Sequence, residues 1–272
     1  MQNHSSLRTR IVSTPSTVTG PSRSFYQAIV RATIDWKFYE VSYIQNHFQS
    51  SRDSLGLGTA MSSFAIIRDQ SMRQKIFVWN IHHSIYDAWL LPRILSDLDN
   101  AYYGKPLNPT HDFNTFVKHV VEDSDRNAAE DFWLPNLQDA STNPWPKLPS
   151  SAYRPRASSS VRRSLKLSPS RPASITVPTL IRAAWAMLLG HYSDSADVVY
   201  IVTIHGRSAP LPSIVDVNGP TIATIHLRVQ FDRSKSIREL LDNIQDTSGK
   251  IIPFEHFGLQ NIFSASVLSS QK

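Results

Sequence analysis

The stretch KIFVWNIHHSIYDAWL, residues 75–90, decides how the fold is read. Its first seven residues are rich in β-branched and aromatic types and predict a strand. From Trp89 onward apolar residues recur at the spacing of a helix, and Gly104 ends that run. The pattern therefore places His82 and His83 at the junction between a strand and the helix that follows it.

Further strands and helices are predicted on both sides of this junction. Predicted strands cover 7–13, 64–67, 198–204 and 221–229, and predicted helices cover 113–134, 177–189 and 237–249. The strand over 198–204 is apolar throughout, as in strands that are buried on both faces. The helix faces expected to be buried are Phe116, Val120 and Val121 in the first helix, and Leu180, Ile181, Ala184, Trp185, Leu188 and Leu189 in the second. This alternation predicts an α/β fold.

Two helix starts carry local signals. Thr176 is a predicted N-cap, with Pro178 in the first turn of its helix. Ser236 and Glu239 have the spacing of a capping box, in which each side chain bonds the backbone amide of the other residue.

The composition changes between residues 135 and 172, where proline, serine and arginine dominate and no period is sustained. We interpret this stretch as a crossover linker between an N-terminal lobe, 1–172, and a partial C-terminal lobe, 173–272. Its basic residues favour a solvated linker over a partner contact. They are Arg154, Arg156, Arg162, Arg163 and Lys166.

The composition is typical of a folded globular protein, with 272 residues, 41% of them hydrophobic and 18% charged. The absence of cysteine excludes disulfides, thiolate metal sites and a cysteine nucleophile. The polar start lacks a secretory core, and no stretch reaches membrane-spanning length, so we expect a cytoplasmic protein. The formal charge of +6 suits either a mildly basic surface or a polyanionic partner.

The residues of the junction leave three interpretations open. Imidazole titrates near neutral pH, which suits His82 and His83 to proton handling, and Asp87 lies four residues beyond His83, one turn away if a helix begins there. The pair could be structural, could bind a metal, or could serve acyl transfer. A zinc site needs further ligands, and no HExxH or equivalent spacing supplies them.

Four segments, in order, resemble the condensation domains of nonribosomal peptide synthetases. His82-His83-x-x-x-Asp87-Ala88 resembles the HHxxxDG signature, which is shared with chloramphenicol acetyltransferase. Residues 4–11 resemble the family's early RHxxLRTR segment. Residues 219–228 resemble its GxFVNTxxxR segment, and residues 253–262 resemble its late PFE segment. The amino-acid sequence of these segments is most similar to that of condensation domains from fungal synthetases. Two positions depart from the family: Ala88 replaces the glycine and Ala223 the asparagine.

The resemblance implies a two-lobed, chloramphenicol-acetyltransferase-like fold. The family's opening SxAQxRLW-type motif and its late RDxSRNPL-type motif are not matched, so we expect a domain truncated at both ends, with its second lobe incomplete. The implied reaction is amide-bond formation between a carrier-bound aminoacyl or peptidyl thioester and a carrier-bound amine.

By the same resemblance, His83 is the catalytic residue, His82 supports the junction, and Asp87 pairs with Arg207 from the other lobe. The other histidines, His205, His226 and His256, are expected to be structural. No metal and no covalently bound cofactor are expected, since the substrates arrive on phosphopantetheine arms. The implied partners are donor and acceptor peptidyl carrier domains and adjacent adenylation domains, with no nucleic acid and no membrane.

Two alternatives remain at this point. One is a CoA-dependent acyltransferase that uses the same histidine on a freely diffusing thioester, although no DFGWG-like motif is present. The other is an inactive condensation-domain fragment that acts only as a carrier-binding module.

Overall fold

The computed structural model describes residues 3–13, 25–31, 33–43, 55–140, 145–150, 152–167 and 172–262. Its strands are β1 (Thr9–Ser13), β2 (Phe25–Ile29), β3 (Trp36–Glu40), β4 (Ser62–Asp69), β5 (Gln74–Ile81), β6 (Asp197–Ile204) and β7 (Ala223–Gln230). Its α-helices are α1 (Leu90–Tyr102), α2 (Phe113–Lys118), α3 (Arg126–Leu137), α4 (Val177–Ser193) and α5 (Ile237–Ile251). The predicted mixture of helices and strands is confirmed. No helix in these ranges is long and apolar enough to cross a membrane.

The chain divides into two compact units that are not continuous in sequence. The first unit contains Met1–Ser124 and His205–Ile222, and the second contains Asp125–Ile204 and Ala223–Lys272. The loop 205–222, between β6 and β7, therefore belongs to the first unit. The lobe boundary that we placed in the linker 135–172 stays a prediction.

The first unit is built on two sheets. Strands β1 and β2 pair antiparallel, while β4 lies between β3, to which it is parallel, and β5, to which it is antiparallel. The turn after β5 and the start of α1 pack with Leu7 and Met61 in one apolar cluster, which also contains Ile85, Leu90 and Ile94. This cluster fixes the end of β5 relative to α1, where the two histidines lie.

The second unit is built on the antiparallel pair β6 and β7. Alternate residues of β7 are buried, from Ala223 to Val229, against a core that includes Trp133 and Ile244. The indole of Trp133 donates a hydrogen bond to the Phe254 carbonyl at 3.2 Å. The predicted capping box of α5 is confirmed, with both the Ser236 and the Glu239 side chains bonded to backbone amides.

The helix predicted over 113–134 is wrong, because two helices occupy this range. Helix α2 ends at Lys118, a π-helical turn covers His119–Asp123, and Ser124 is extended with ψ 131°. Asp125 then starts α3 by accepting a hydrogen bond from the Ala128 amide at 3.0 Å. A carboxylate at this position satisfies an amide that a continuous helix would have bonded internally. Val121, expected to be buried, is 74% exposed.

The buried face predicted for α4 is wrong in part, since Leu189 packs against the core of the second unit but Trp185 and Leu188 are exposed. The burial predicted for β6 is also wrong. On α4 the small side chains Thr179, Ala183 and Ala186 are buried, whereas Ile181 is 64% exposed. Small residues let a helix approach its neighbours closely, so the periodicity of the large residues misplaces the centre of the buried face. Ile201, in the middle of β6, is 58% exposed, so this strand is not buried on both faces as predicted.

Two smaller differences concern the ends of predicted elements. The strand predicted from residue 7 starts at Thr9, because Ser5–Arg8 form a 3₁₀ turn. The linker is entered later than predicted, since α3 continues to Leu137. Beyond α3, its described parts, 138–140, 145–150, 152–167 and 172, contain no helix or strand, as the composition predicts.

Candidate active site

The junction between β5 and α1 is a short turn and not the direct start of a helix. His83–Ile85 form a 3₁₀ turn after β5, Tyr86 is extended, and α1 begins at Leu90. No α-helix begins at His83, so the condition under which Asp87 would lie one helical turn from His83 is not met. The side chain of Ile85 anchors the turn, because it is completely buried in the apolar cluster with Leu7 and Met61.

His82 caps this turn. The Ser84 amide donates to His82 Nδ1 at 3.2 Å, and the Ser84 hydroxyl oxygen lies 2.7 Å from the same nitrogen. A backbone amide can only donate, so Nδ1 is an acceptor and the neutral ring carries its proton on Nε2. The His82 amide also donates to the Met61 carbonyl at 2.8 Å, which ties the turn to the residue just before β4.

His83 is exposed and its ring is oriented by a neighbouring aromatic side chain. It stacks on Tyr86 with ring centroids 4.6 Å apart and an angle of 17° between the rings. No hydrogen bond joins the His83 ring to another residue in the described parts of the chain. Both ring nitrogens are therefore available to accept or donate a proton from solution or substrate.

Asp87 is fully buried and organises the start of α1. Its Oδ1 accepts hydrogen bonds from the amides of Trp89 at 3.1 Å and Leu90 at 2.7 Å. Its Oδ2 accepts from the Thr221 amide at 2.9 Å. A carboxylate at a helix N-terminus satisfies free amides and complements the helix dipole. Thr221 thereby joins the loop 205–222 to the turn that presents His83.

Arg207 lies beside Asp87 in the same unit, with its Nη2 3.3 Å from Asp87 Oδ2. The guanidinium also donates to three carbonyls of its own loop, those of Ile214 at 2.8 Å, Val217 at 3.0 Å and Gly219 at 2.9 Å. Burial lowers the pKa of Arg207, and the negative charge of Asp87 opposes that shift. The structure thus brings Asp87 and Arg207 together as a buried ion pair. The Arg207 guanidinium also holds the loop 205–222 in shape through its three carbonyl contacts.

Two further contacts attach the loop 205–222 to α1, and sequence reasoning missed both. The Trp89 indole donates to the Val215 carbonyl at 3.0 Å, and Arg93 Nη2 lies 2.7 Å from Asp216 Oδ1. These partners are more than a hundred residues apart, and no local pattern relates them. Thr221 was also missed, although it lies inside a segment that carries the resemblance.

The early segment of the resemblance supplies a second buried polar pair. His4 Nε2 lies 2.8 Å from Asp97 Oδ2, and both side chains are buried. Burial lowers the pKa of His4 despite the neighbouring carboxylate. Burial opposes ionisation of Asp97, yet hydrogen bonds from Asn108 and His4 outweigh it and hold the pKa of Asp97 below its usual range. This pair joins the N-terminal segment to α1.

The three histidines expected to be structural, His205, His226 and His256, are each partly buried or bonded to a neighbouring residue. His205 Nδ1 accepts a hydrogen bond from the Arg207 amide at 2.9 Å, and His256 lies 3.4 Å from Glu255 Oε1. Burial lowers the pKa of His226. In the ranges that the structure describes, no three histidine, aspartate or glutamate side chains are grouped so that they could hold a metal ion.

Curated relatives of this chain are fungal synthetases. It is 37% identical over 265 residues to nonribosomal peptide synthetase gloA of Glarea lozoyensis, which covers 96% of this chain and 4% of that protein. It is 34% identical to cyclochlorotine synthetase of Talaromyces islandicus, in a match that covers 96% of this chain and 4% of that protein. It is 35% identical to nonribosomal peptide synthetase dtxS1 of Metarhizium robertsii, in a match that covers 97% of this chain and 3% of that protein. The chain therefore spans only a few per cent of the length of these proteins.

Solved structures show the same fold. The structure described as "The crystal structure of CT" matches with a TM-score of 0.71 at 24% identity, covering 97% of this chain and 61% of that one. The epimerization domain from the third module of tyrocidine synthetase B matches with a TM-score of 0.65 at 12% identity, covering 97% and 65%. These matches confirm the fold class expected from the resemblance.

A sequence profile of one family matches residues 1–272, and its description is "Condensation domain". The match covers the whole chain and agrees with both the relatives and the fold. The chain belongs to the condensation domain family.

Proposed function

We propose that this chain is the acyltransferase domain that forms the amide bond in nonribosomal peptide synthesis. The observation that carries the proposal is His83, an exposed imidazole on a turn that the buried Asp87 and Arg207 pair holds in place. Family membership supports the reaction class, and the turn supplies the group that such a reaction uses.

The reaction joins an amine to a thioester carbonyl. The amine nitrogen attacks the carbonyl carbon, the C–N bond forms, and the C–S bond breaks with the electron pair leaving on sulfur. One proton leaves the nitrogen, and the thiol product gains one. A thioester is already activated, so holding amine and carbonyl at attack distance supplies much of the rate. His83 orients the amine or accepts its proton, and Tyr86 keeps the imidazole plane fixed during this step.

The substrates and partners follow from the same proposal. The donor and acceptor are presented on phosphopantetheine arms of peptidyl carrier domains, and adenylation domains of the same synthetase load those arms. The arms belong to the substrates, so the chain needs no cofactor of its own for this chemistry. We place the reaction in the cytoplasm, where such a synthetase would be made.

The test is His83→Ala in the full-length context, with loaded donor and acceptor carriers and mass spectrometry of the product on the acceptor carrier. Positioned acid–base groups contribute roughly 10²–10⁴-fold, and we expect a loss of that size. The matched control is His191→Ala, which removes an exposed histidine from α4 in the other unit.

The control variant should keep the wild-type rate, and both variants should bind carriers as wild type does. If His83→Ala keeps activity within about threefold of wild type, the loss is much smaller than a positioned acid–base group gives, and His83 is not part of the mechanism. If acyl-CoA replaces the donor carrier without loss of rate, the diffusible-thioester alternative is correct instead.

A further inference from the structure

The positive charge of this chain is concentrated in one stretch. Residues 140–193 contain eight lysines and arginines and no aspartate or glutamate. The whole chain has 28 basic and 22 acidic residues, so the rest has 20 and 22 and is slightly acidic. The formal charge of +6 therefore comes entirely from this stretch.

Six of the eight cations of this stretch lie on described residues outside helices and strands. Residues 152–167 form neither helix nor strand, and every one of them is exposed. Even apolar side chains are in solvent here, with Val161 90% and Leu165 84% exposed. Within the described ranges, Arg156, Arg162 and Arg163 form no ion pair with an acidic side chain.

Four serines lie among these cations, and one has a distinctive spacing. Ser159 follows Arg156 by three residues and Arg154 by five. The other serines, Ser158, Ser160 and Ser164, have no arginine at either of these distances. Protein kinases bind their substrates as extended chain, and many of them select arginine at these two positions through acidic pockets.

We propose that Ser159 is a phosphorylation site for arginine-selecting protein kinases. The segment around Ser159 is exposed and lies outside helices and strands, so no packed structure has to open before an enzyme can bind it. In the step, the Ser159 hydroxyl oxygen attacks the γ-phosphorus of ATP. The new O–P bond forms, the bond from γ-phosphorus to the β,γ-bridging oxygen breaks, ADP leaves, and the hydroxyl proton passes to the kinase base. The proposal stands independently of the condensation activity.

The modification changes the electrostatics of the linker. Residues 152–167 carry five cations and no anion, and a phosphoserine adds about −1.5 to −2 charges. The phosphate would accept charge-assisted hydrogen bonds from the arginines on either side of it, such as Arg156 and Arg162. An open basic segment would thereby become a more compact and less basic one.

The test uses the native purified chain with ATP and protein kinase B, which selects arginine at these two positions. Phosphate is located by peptide mass spectrometry and its incorporation is timed. We expect Ser159 as the main site, and we expect Ser159→Ala to lose that phosphate. Replacing Arg154 and Arg156 by alanine should slow the reaction at least about tenfold, the equivalent of one lost charged contact.

The matched control replaces Arg162 and Arg163 by alanine, which removes the same charge without changing the two selected positions, and its rate should stay at the wild-type value. Casein kinase 2, which selects acidic neighbours, should leave Ser159 unmodified. The proposal is overturned if Ser159 gains no phosphate, if it does so only after denaturation, or if both arginine double variants react alike.

Discussion

The buried pair of Asp87 and Arg207 predicts a large and non-additive effect on stability. Asp87→Ala removes a carboxylate that is completely buried and that accepts hydrogen bonds from three amides as well as the guanidinium. It leaves Arg207 buried without its counter-charge. Loss of one member of such a pair costs about 3–5 kcal/mol, and we expect the first unit to lose that much unfolding free energy.

Arg207→Ala acts on a different set of groups. It removes the donors to the carbonyls of Ile214, Val217 and Gly219, and each buried group left without a partner costs about 1–3 kcal/mol. Asp87 keeps its three amide donors. The double variant removes both charges, so its cost should fall short of the summed single costs by roughly 1–3 kcal/mol.

The assay is urea denaturation of the wild type, the two single variants and the double variant. Hydrogen exchange of the Leu90 and Thr221 amides, which both donate to Asp87, reports the same loss locally. The control is the exposed pair Arg126 and Glu130 on α3, where the same cycle should give about 0.5 kcal/mol or less. Additivity at Asp87 and Arg207 within about 0.5 kcal/mol would refute the coupling.

Two other predictions concern residues that the sequence did not single out for stability. Burial lowers the pKa of His4, so the unfolded chain takes up the proton first, and unfolding free energy should fall as the pH drops below about 6.5. In urea titrations from pH 7 to 5, His4→Gln should have a smaller slope than wild type, and equal slopes would contradict this account. A Cβ on Gly219 would overlap the Phe113 ring, so Gly219→Ala should lower the melting temperature. Gly249→Ala, in open space inside α5, should raise it by the equivalent of about 0.5–1 kcal/mol, and a reversed order of the two would count against the packing described.

Local patterns predicted the elements around the site well. The strand expected over 75–81 is β5, Gln74–Ile81, and the helix expected from Trp89 is α1, Leu90–Tyr102. The capping box at Ser236 was predicted from two residues and is present. Strand alternation, helix period and caps depend on neighbours within a few positions, so they can be read without knowing the fold.

Patterns failed where a distant part of the chain decides burial. The face of α4 that carries its large apolar residues is exposed at Ile181, while Ala183 and Ala186 are buried. The π-helical turn before Asp125 breaks a helix that periodicity alone continues. Which side of an element is covered depends on what packs there, and that information is not local.

In the candidate active site, too, local features could be predicted from the sequence, and long-range contacts could not. The sequence by itself determined that His82 and His83 follow a strand and precede a helix, and motif similarity indicated the family and the roles of Asp87 and Arg207. Only the tertiary structure decided that Asp87 caps α1 while Thr221 and Arg207 reach it from the loop 205–222. Arg207 is 120 residues away from Asp87, and Thr221 is 134 residues away. A hydrogen bond over such a separation exists only once the chain has folded, because no local preference brings its two ends together.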